Sequence, residues 1–284
     1  MSNNAIYQPK GSAQEYAQWA CNFYVGCSND CTYCYLKKGI GAKVLGGQIP
    51  MLKKCFKNEE HAIEVFEKEL KANLSELQKH GLFFSFTTDP CLPQSIGLTF
   101  KAVIICQQYD VPIKILTKME NLSDDVKYGF GFLLKRNLIA IGVTLTGHDE
   151  LEPGASQTHQ RIRLLKRSNE LGFKTFASIE PIIDFESSFR MICDTNCICD
   201  LYKIGLESGK KYDKKELLKF IRGVIEQVEF YCAKVYFKDS LLKAAGIDRT
   251  TLPANCVDRY FNLFELREKG SKLIDPFLNL LIYL

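Results

Sequence analysis

Three cysteines stand close together in Gly26-Cys27-Ser28-Asn29-Asp30-Cys31-Thr32-Tyr33-Cys34-Tyr35. Their spacing, C-x3-C-x2-C, lets one loop turn three thiolates toward one point. Three thiolates ligate three irons of a [4Fe-4S] cluster and leave the fourth iron open, whereas four cysteines would close it. Three ligands plus an open position is the arrangement that admits a substrate or cofactor. An aromatic residue, Tyr33, directly precedes the third cysteine. A structural zinc site wants a fourth ligand and more often shows two C-x2-C pairs. Only Cys31 and Cys34 form such a pair here, and no matching pair follows. A zinc-binding or nucleic-acid-binding module is the competing reading. The histidines are scattered and suggest no zinc triad.

Other residues of reactive type are less organised. Cys193, Cys197 and Cys199 form a second group at C-x3-C-x-C, open either to an auxiliary metal site or to ordinary burial. Cys21, Cys55, Cys106, Cys232 and Cys256 read as core residues. Basic residues gather at Lys210, Lys211, Lys214 and Lys215, and again at Arg161, Arg163, Lys166 and Arg167. Such patches suit a nucleic-acid backbone, but solvated helix faces are the preferred reading. Arg161 with Glu152 is a possible site pair, although a solvated helix charge is preferred there too.

Stepping from these residues to the chain that must hold them, 284 residues at 46% hydrophobic composition are ample for a buried core. The balance of 37 basic and 33 acidic residues, a net charge of +4, neither requires nor excludes nucleic acid. No secretory signal is evident in Met1 to Gly11, so the twelve cysteines read as thiols or iron ligands in a reducing cytoplasm. No run approaches the ~18 apolar residues of a membrane span. The apolar stretch Leu273 to Leu284 is short and interrupted by Pro276. It is expected to pack on the body of the protein or on a partner.

Helices and strands alternate along the sequence. A short helix is expected within Ala13 to Ala20, and a first strand at Cys21 to Val25, ending at Gly26. Gly39, Gly41, Gly46 and Gly47 mark a turn-rich connection. Asn58 caps a helix through about Lys79, with Ile63, Phe66, Leu70, Leu74 and Leu77 on one face. Further strands are expected at Leu82–Phe86, Pro112–Leu116, Leu138–Leu145, Phe173–Ile179, Leu201–Leu206 and Ala233–Phe237. Helices fall between them at about Gly97–Tyr109, Asp124–Arg136, Ser156–Leu171 and Asp213–Tyr231. This alternation predicts an α/β fold with a parallel sheet, a partial (β/α)6 barrel of the triosephosphate-isomerase type. One domain over 1–284 is expected, with a barrel core of about 21–237 and a C-terminal extension of about 238–284. In such folds chemistry sits at the C-terminal ends of the strands. Cys27, Thr87 to Asp89, Thr117-Lys118, Thr144, Thr146 and Glu180 fall there.

The cysteine loop resembles that of the radical S-adenosylmethionine enzymes, in which C-x3-C-x-aromatic-C holds a [4Fe-4S] cluster. Within that superfamily the resemblance narrows to the branch related to spore photoproduct lyase. It rests on segments in order: Tyr24 to Ser28 with Cys31 to Tyr35, Thr87-Thr88-Asp89-Pro90, Ile115 to Lys118, Leu151-Glu152-Pro153 with Arg161, and Ser178 to Ile183. The match covers roughly residues 6 to 206. It implies that Cys27, Cys31 and Cys34 ligate the cluster and that its open iron chelates S-adenosylmethionine. One electron, from a donor such as flavodoxin or ferredoxin, would then give a 5′-deoxyadenosyl radical that abstracts hydrogen. The resemblance implies cofactor contacts at Tyr33, Thr87, Thr88, Asp89, Lys118, Thr144, Thr146 and Glu180. Turn-capping is the plainer use of a Thr or Asp at a strand end. The lyase has a hydrogen-donating cysteine where this chain has Phe86, so repair of spore photoproduct is not expected. Cys91 is the alternative protein donor, with Tyr35 next in line. A nucleic-acid substrate is the leading class, ahead of a peptide or small molecule.

Overall fold

The computed structural model describes residues 4–38, 42, 47–120 and 135–265. The expected helix over 124–136 lies almost wholly outside those residues, as do most of the glycine-rich connection and the apolar C-terminal stretch.

One eight-stranded sheet dominates. Its strands are β1 (Ile6–Tyr7), β2 (Ala20–Cys21), β5 (Leu82–Phe84), β6 (Ile113–Thr117), β7 (Ile139–Thr144), β8 (Lys174–Ile182), β9 (Leu201–Leu206) and β10 (Lys234–Phe237), hydrogen-bonded in that order. From β2 to β10 every pairing is parallel, while β1 joins β2 antiparallel. Strands β1 and β10 end the order and do not pair with each other, so the barrel is open. The expected α/β partial barrel is therefore the fold observed.

Sequence alternation sets which side each residue faces, because successive side chains in a strand point to opposite faces. In β6, Ile113, Ile115 and Thr117 are buried against the helices, while Lys114 and Leu116 turn into the lumen. The register Phe83↔Lys114↔Ala140 carries that inner row across three strands. A small inner core of Tyr16, Phe83, Ala140, Phe176 and Tyr236 fills the lumen, and a larger outer core lies between sheet and helices.

Four expectations change. The first strand is split: β2 joins the main sheet, but β3 (Tyr24–Val25) turns away to pair antiparallel with β4 (Met51–Leu52). The helix expected near Ala13 is a 3-10 turn over Gly11–Glu15. The long helix breaks at Asn73 into α1 (Glu59–Ala72) and α2 (Leu74–His80), because Asn73 takes a non-helical φ of −118° and ψ of 21°. Asn58 does cap α1, accepting from the His61 amide at 2.9 Å. The helix after β7, α4 (Thr158–Glu170), is capped by Gln157 and Gln160 in a reciprocal box rather than by Ser156. The remaining helices are α3 (Ile96–Gln108), α5 (Phe185–Thr195), α6 (Lys214–Phe230) and α7 (Asp239–Ala245). Asp213 caps α6 through the Lys215 and Glu216 amides. No helix among the described residues is long and apolar enough to cross a membrane.

Candidate functional site

The cysteine loop leaves β3 at Gly26, whose φ of +86° suits glycine. A Cβ there would meet the Ile49 and Gly47 carbonyl oxygens at 2.5 and 2.8 Å. The Cys27 amide donates to the Gly47 carbonyl at 2.9 Å, and a recess of about 250 Å³ is lined by Cys27, Asp30, Cys31, Cys34, Leu36 and Lys37. All three expected ligands thus open onto one recess.

Two clamps fix the loop. The first is Asp89, just beyond the carboxyl end of β5. Its Oδ2 accepts from Asn29 Nδ2 at 2.8 Å and from the Lys118 amide at 2.7 Å. Its Oδ1 accepts from Thr117 Oγ1 at 2.7 Å and from the Cys91 amide at 3.0 Å. Four protein donors fill the acceptor positions of one carboxylate. Asp89 therefore ties the loop to β5 and β6.

The second clamp is the segment 151–154 before α4. The Thr32 amide donates to the Leu151 carbonyl at 2.9 Å, and the Gly154 amide to the Asn29 carbonyl at 3.0 Å. The two chains lie so close that a Cβ on Gly154 would sit 2.0 Å from the Ser28 carbonyl oxygen. Beneath this contact, Tyr33 donates its hydroxyl to Glu152 Oε1, and Arg161 pairs with Glu152 Oε2. Arg161 also donates to the Thr144 carbonyl at 2.8 Å and lies 3.1 Å from Asp149. Lys118 Nζ lies 3.6 Å from Glu152 and 5.3 Å from the centre of the Tyr33 ring.

Arg161 is 0% exposed and Glu152 2% exposed. The expectation of a solvated charge on a helix face is thus overturned: the pair is buried at the base of the cysteine loop. The sequence misled because Arg161 shares its helix with Arg163, Lys166 and Arg167, which do look outward. The second basic patch loses its first member accordingly.

The other expected residues stand along one rim. Thr87 donates to the Tyr24 carbonyl at 2.5 Å. Thr146 accepts from the His148 amide at 3.2 Å, the turn-capping use of a threonine. Thr88 is buried, and its Oγ1 has no hydrogen-bond partner. Thr144 is buried at the end of β7. Glu180 projects from β8 toward the lumen, where Oε1 accepts from Lys238 Nζ at 2.8 Å and Oε2 from the Tyr16 hydroxyl at 2.6 Å. Cys91 departs from expectation. It is fully buried in the outer core, so its thiol offers no surface to a substrate. Phe86, by contrast, stacks on Phe83 at 4.6 Å and meets Tyr16 edge-on at 6.2 Å, forming an aromatic wall.

Sequence reasoning missed the lumen partners. Tyr16 and Glu15 enter from the 3-10 turn before β2, and Lys238 follows β10. Lys238 also lies 3.5 Å from Glu15, whose Oε1 accepts from the Tyr236 hydroxyl at 2.9 Å. The strand-end rule alone would have picked out Lys238; no pattern marks Tyr16.

Electrostatics set the site apart. Burial, with the Asp89 carboxylate adding to it, pushes the Cys27 thiol up to about 12. Burial raises Cys31 as well, against the opposing pull of Lys118. Burial works against the Lys118 ammonium, but Cys31 and Glu152 outweigh it and hold that group above its usual value.

The donor set fits an iron-sulfur cluster. Among the described residues no three His, Cys, Asp or Glu side chains converge as ligands of a single ion. A tetrahedral zinc with bonds of about 2.3 Å needs its sulfurs roughly 3.8 Å apart. Thiolates that each take a different iron need only share a recess. Three residues of the clamps and the rim carry buried polar atoms without a partner: Asn29 Oδ1, Thr88 Oγ1 and Arg161 Nε. The second cysteine group does not converge: Cys197 is exposed and Cys199 is fully buried, donating to the Leu201 carbonyl. No disulfide is formed among the described residues. A Ser–His–Asp trio at His148, Asp184 and Ser187 is not a nucleophile relay. Asp184 and Ser187 meet the same ring nitrogen, Nε2, at 2.6 and 3.0 Å.

Comparison with solved structures places this fold beside two enzymes. Spore photoproduct lyase, in a variant with bound AdoMet and dinucleoside spore photoproduct, superposes with a TM-score of 0.58 at 14% identity, over 82% of this chain and 78% of that one. A second lyase variant gives 0.62 at 14% identity, over 82% and 79%. Streptococcus suis SuiB bound to precursor peptide SuiA gives 0.55 at 14% identity, over 83% and 52%. The chain thus shares the partial-barrel fold of these two proteins. No protein-family model matches the chain, and no curated protein matches its sequence.

Proposed function

We propose that this protein is a radical S-adenosylmethionine enzyme whose Cys27, Cys31 and Cys34 hold a [4Fe-4S] cluster. The observation that carries the reading is the three-cysteine recess at the carboxyl rim of the barrel, clamped by Asp89 on one side and the Glu152–Arg161 pair on the other. Cys27, Cys31 and Cys34 would hold the cluster, which, with S-adenosylmethionine bound and one electron from a flavodoxin- or ferredoxin-like donor, would supply radical chemistry for hydrogen abstraction.

The chain's own residues position and enclose. Asp89 and Glu152 tie down the loop that carries the three thiols. Thr88, whose hydroxyl lacks a partner, is the rim group with donor and acceptor capacity to spare for the cofactor. Thr144 and Lys118 border the same side, and Tyr33 packs beneath. Glu180 lies further in. Its carboxylate takes one donor on each oxygen and retains acceptor capacity toward the lumen. Phe83 and Phe86 supply the opposite apolar wall, which excludes water from the reaction space.

Tyr16 stands between Phe86 and Glu180, so a substrate at this rim would meet each of them past its ring, with a flat apolar face toward Phe86 and a hydrogen-bond donor toward Glu180. A nucleobase in a single-stranded or damaged nucleic acid meets that description. The absence of a thiol at Phe86 separates this reaction from that of the lyase.

Anaerobic reconstitution tests the reading. About four irons and four sulfides per chain, followed by 5′-deoxyadenosine release under reductant, are expected. One zinc per chain and no sulfide would establish the binding-module alternative instead. A full cluster with bound S-adenosylmethionine and no 5′-deoxyadenosine would refute turnover while leaving the cluster assignment standing.

A further inference from the structure

The barrel floor carries a second charged recess, at the amino ends of β5 and β6 and thus away from the cysteine rim. It is an open recess of about 330 Å³, counting space continuous with solvent, and is lined by Lys79, His80, Lys114, Arg259 and Tyr260, among others. Among the described residues no carboxylate lines it. His80 faces Glu76 at 3.6 Å, and Arg259 pairs with Asp239. Lys114 is different. Among the described residues its ammonium has no hydrogen bond and no ion pair, and the Phe264 ring centre lies 5.8 Å away.

Its surroundings deepen the imbalance. Lys203 and Lys238 share the lumen with two carboxylates, Glu15 and Glu180. Lys238 takes both carboxylates, at 3.5 and 2.8 Å. Lys203 donates to the Glu15 and Tyr16 backbone carbonyls at 2.8 and 3.1 Å. Nothing negative is left for Lys114, which turns toward the recess instead. Burial draws its ammonium down to about 8. A half-buried cation without a counter-charge is a cost that a bound anion would remove.

We propose that this recess binds a phosphate-type oxyanion, with Lys114 as the inner counter-charge and His80, Lys79 and Arg259 around the mouth. The basic groups come from three separate parts of the chain: the end of α2, strand β6 and the segment around Arg259. Donors arriving from several directions suit the four oxygens of a tetrahedral anion better than the two of a planar carboxylate. The site is independent of the radical chemistry at the opposite rim.

Calorimetric titration of the full chain tests it, with inorganic phosphate, sulfate and acetate as separate arms. Phosphate and sulfate should bind and acetate should not, near pH 8 and at low salt. Binding should take up protons, seen as a heat that changes with the buffer's ionisation enthalpy, because the anion completes protonation of Lys114. The groups facing that ammonium are Lys203 from β9, Lys79 and His80 from α2, and Arg259. Lys114→Met should weaken binding at least tenfold and abolish the proton uptake. Arg259→Gln, at the mouth, should weaken binding severalfold and leave the uptake in place. Absence of phosphate binding to the wild-type chain, wild-type affinity in a folded Lys114→Met variant, or equal binding of acetate would each overturn the proposal.

Discussion

Asn29 and Asp89, 60 positions apart in sequence, meet through a buried 2.8 Å hydrogen bond from amide to carboxylate. That bond joins the cysteine loop to the carboxyl rim of the sheet. It also settles a competition for the Asp89 oxygens, because a cofactor amino group would have to displace a donor already in place. Asp89→Asn keeps the shape but replaces one acceptor oxygen with a donor group. It leaves the Asn29 or Thr117 side unsatisfied, at a cost of about 1–3 kcal/mol. Denaturant unfolding should show that loss, and reconstituted iron should fall with it. Unchanged stability with weaker S-adenosylmethionine binding would instead make Asp89 a cofactor contact.

Removing Arg161 should do more. Arg161→Met leaves Glu152 buried with only Lys118 and the Tyr33 hydroxyl beside it. Breaking one side of a buried pair costs roughly 3–5 kcal/mol. The melting temperature should drop, and cluster retention should fall although all three cysteines remain. A paired Glu152→Gln/Arg161→Met variant should recover part of the loss, since the stranded carboxylate is then gone. An Arg161→Met protein as stable as wild type would show that the pair adds nothing.

The cysteine assignment separates by position. Ala at Cys27, Cys31 or Cys34 should abolish the brown chromophore of the reconstituted protein. Ala at Cys193 or Cys197 should leave iron content unchanged, because Cys193, Cys197 and Cys199 do not converge. Iron analysis of the five variants is sufficient. Full iron in any variant of the first three sinks the ligand set.

Much of this was legible in the sequence because its periodicities are local. Cysteine spacing, alternating strands and strand-end polar residues each depend on a few neighbouring positions, and β5 to β10 stand where their apolar runs put them. What failed depended on distant partners. Arg161 shows a helix-face pattern indistinguishable from that of Arg163, and only the fold brings Glu152 beneath it. Asp89 shows a strand-end pattern but not the Asn29 amide that claims it. Tyr16 sits in a segment with no period at all, yet its hydroxyl reaches Glu180. Cys91 read as near the rim by sequence distance, whereas the turn after Asp89 sends it into the core.

The His148–Asp184 pair predicts a pH dependence away from the cluster. Burial works against the Asp184 carboxylate, but the Ser187 amide and hydroxyl and then His148 outweigh it and hold it down to about 2. Its stabilisation is therefore present above the unfolded carboxyl value of about 3.9 and is lost as pH falls toward 2. Burial likewise disfavours the His148 imidazolium, but Glu150 and Asp184 outweigh it and raise its value. That contribution is complete below about 6.5 and disappears as pH rises through the raised value. Unfolding measured from pH 3 to 9 should thus show Asp184→Asn flattening the acid limb and shrinking the alkaline one, which Glu150 still supports, while it keeps the cap on α5. Asp184→Ala should lose about 1 kcal/mol more at all pH values, because the cap goes too. Identical pH profiles for wild type and Asp184→Asn would show the pair to be uncoupled.

The nucleic-acid reading makes its own demand on salt. Arg161 is buried, so the two basic groups become Lys210, Lys211, Lys214 and Lys215 near the start of α6, and Arg163, Lys166 and Arg167 on α4. Binding through phosphates releases counterions, so affinity falls linearly with salt on a log–log scale, with a slope of about −0.7 per phosphate on a single strand. Three or four contacts from one lysine group give a slope of about −2 to −3, a loss of more than tenfold between 50 and 200 mM salt. Fluorescence anisotropy of a labelled single-stranded oligonucleotide should show that fall, and replacing Lys210, Lys211 and Lys214 with Gln should reduce the slope. Phe86→Ala should weaken binding at the lumen without changing the slope, because it removes a stacking wall and no charge. Salt-independent binding, or none, would shift the substrate away from nucleic acid and toward a peptide or small molecule seated against the same wall.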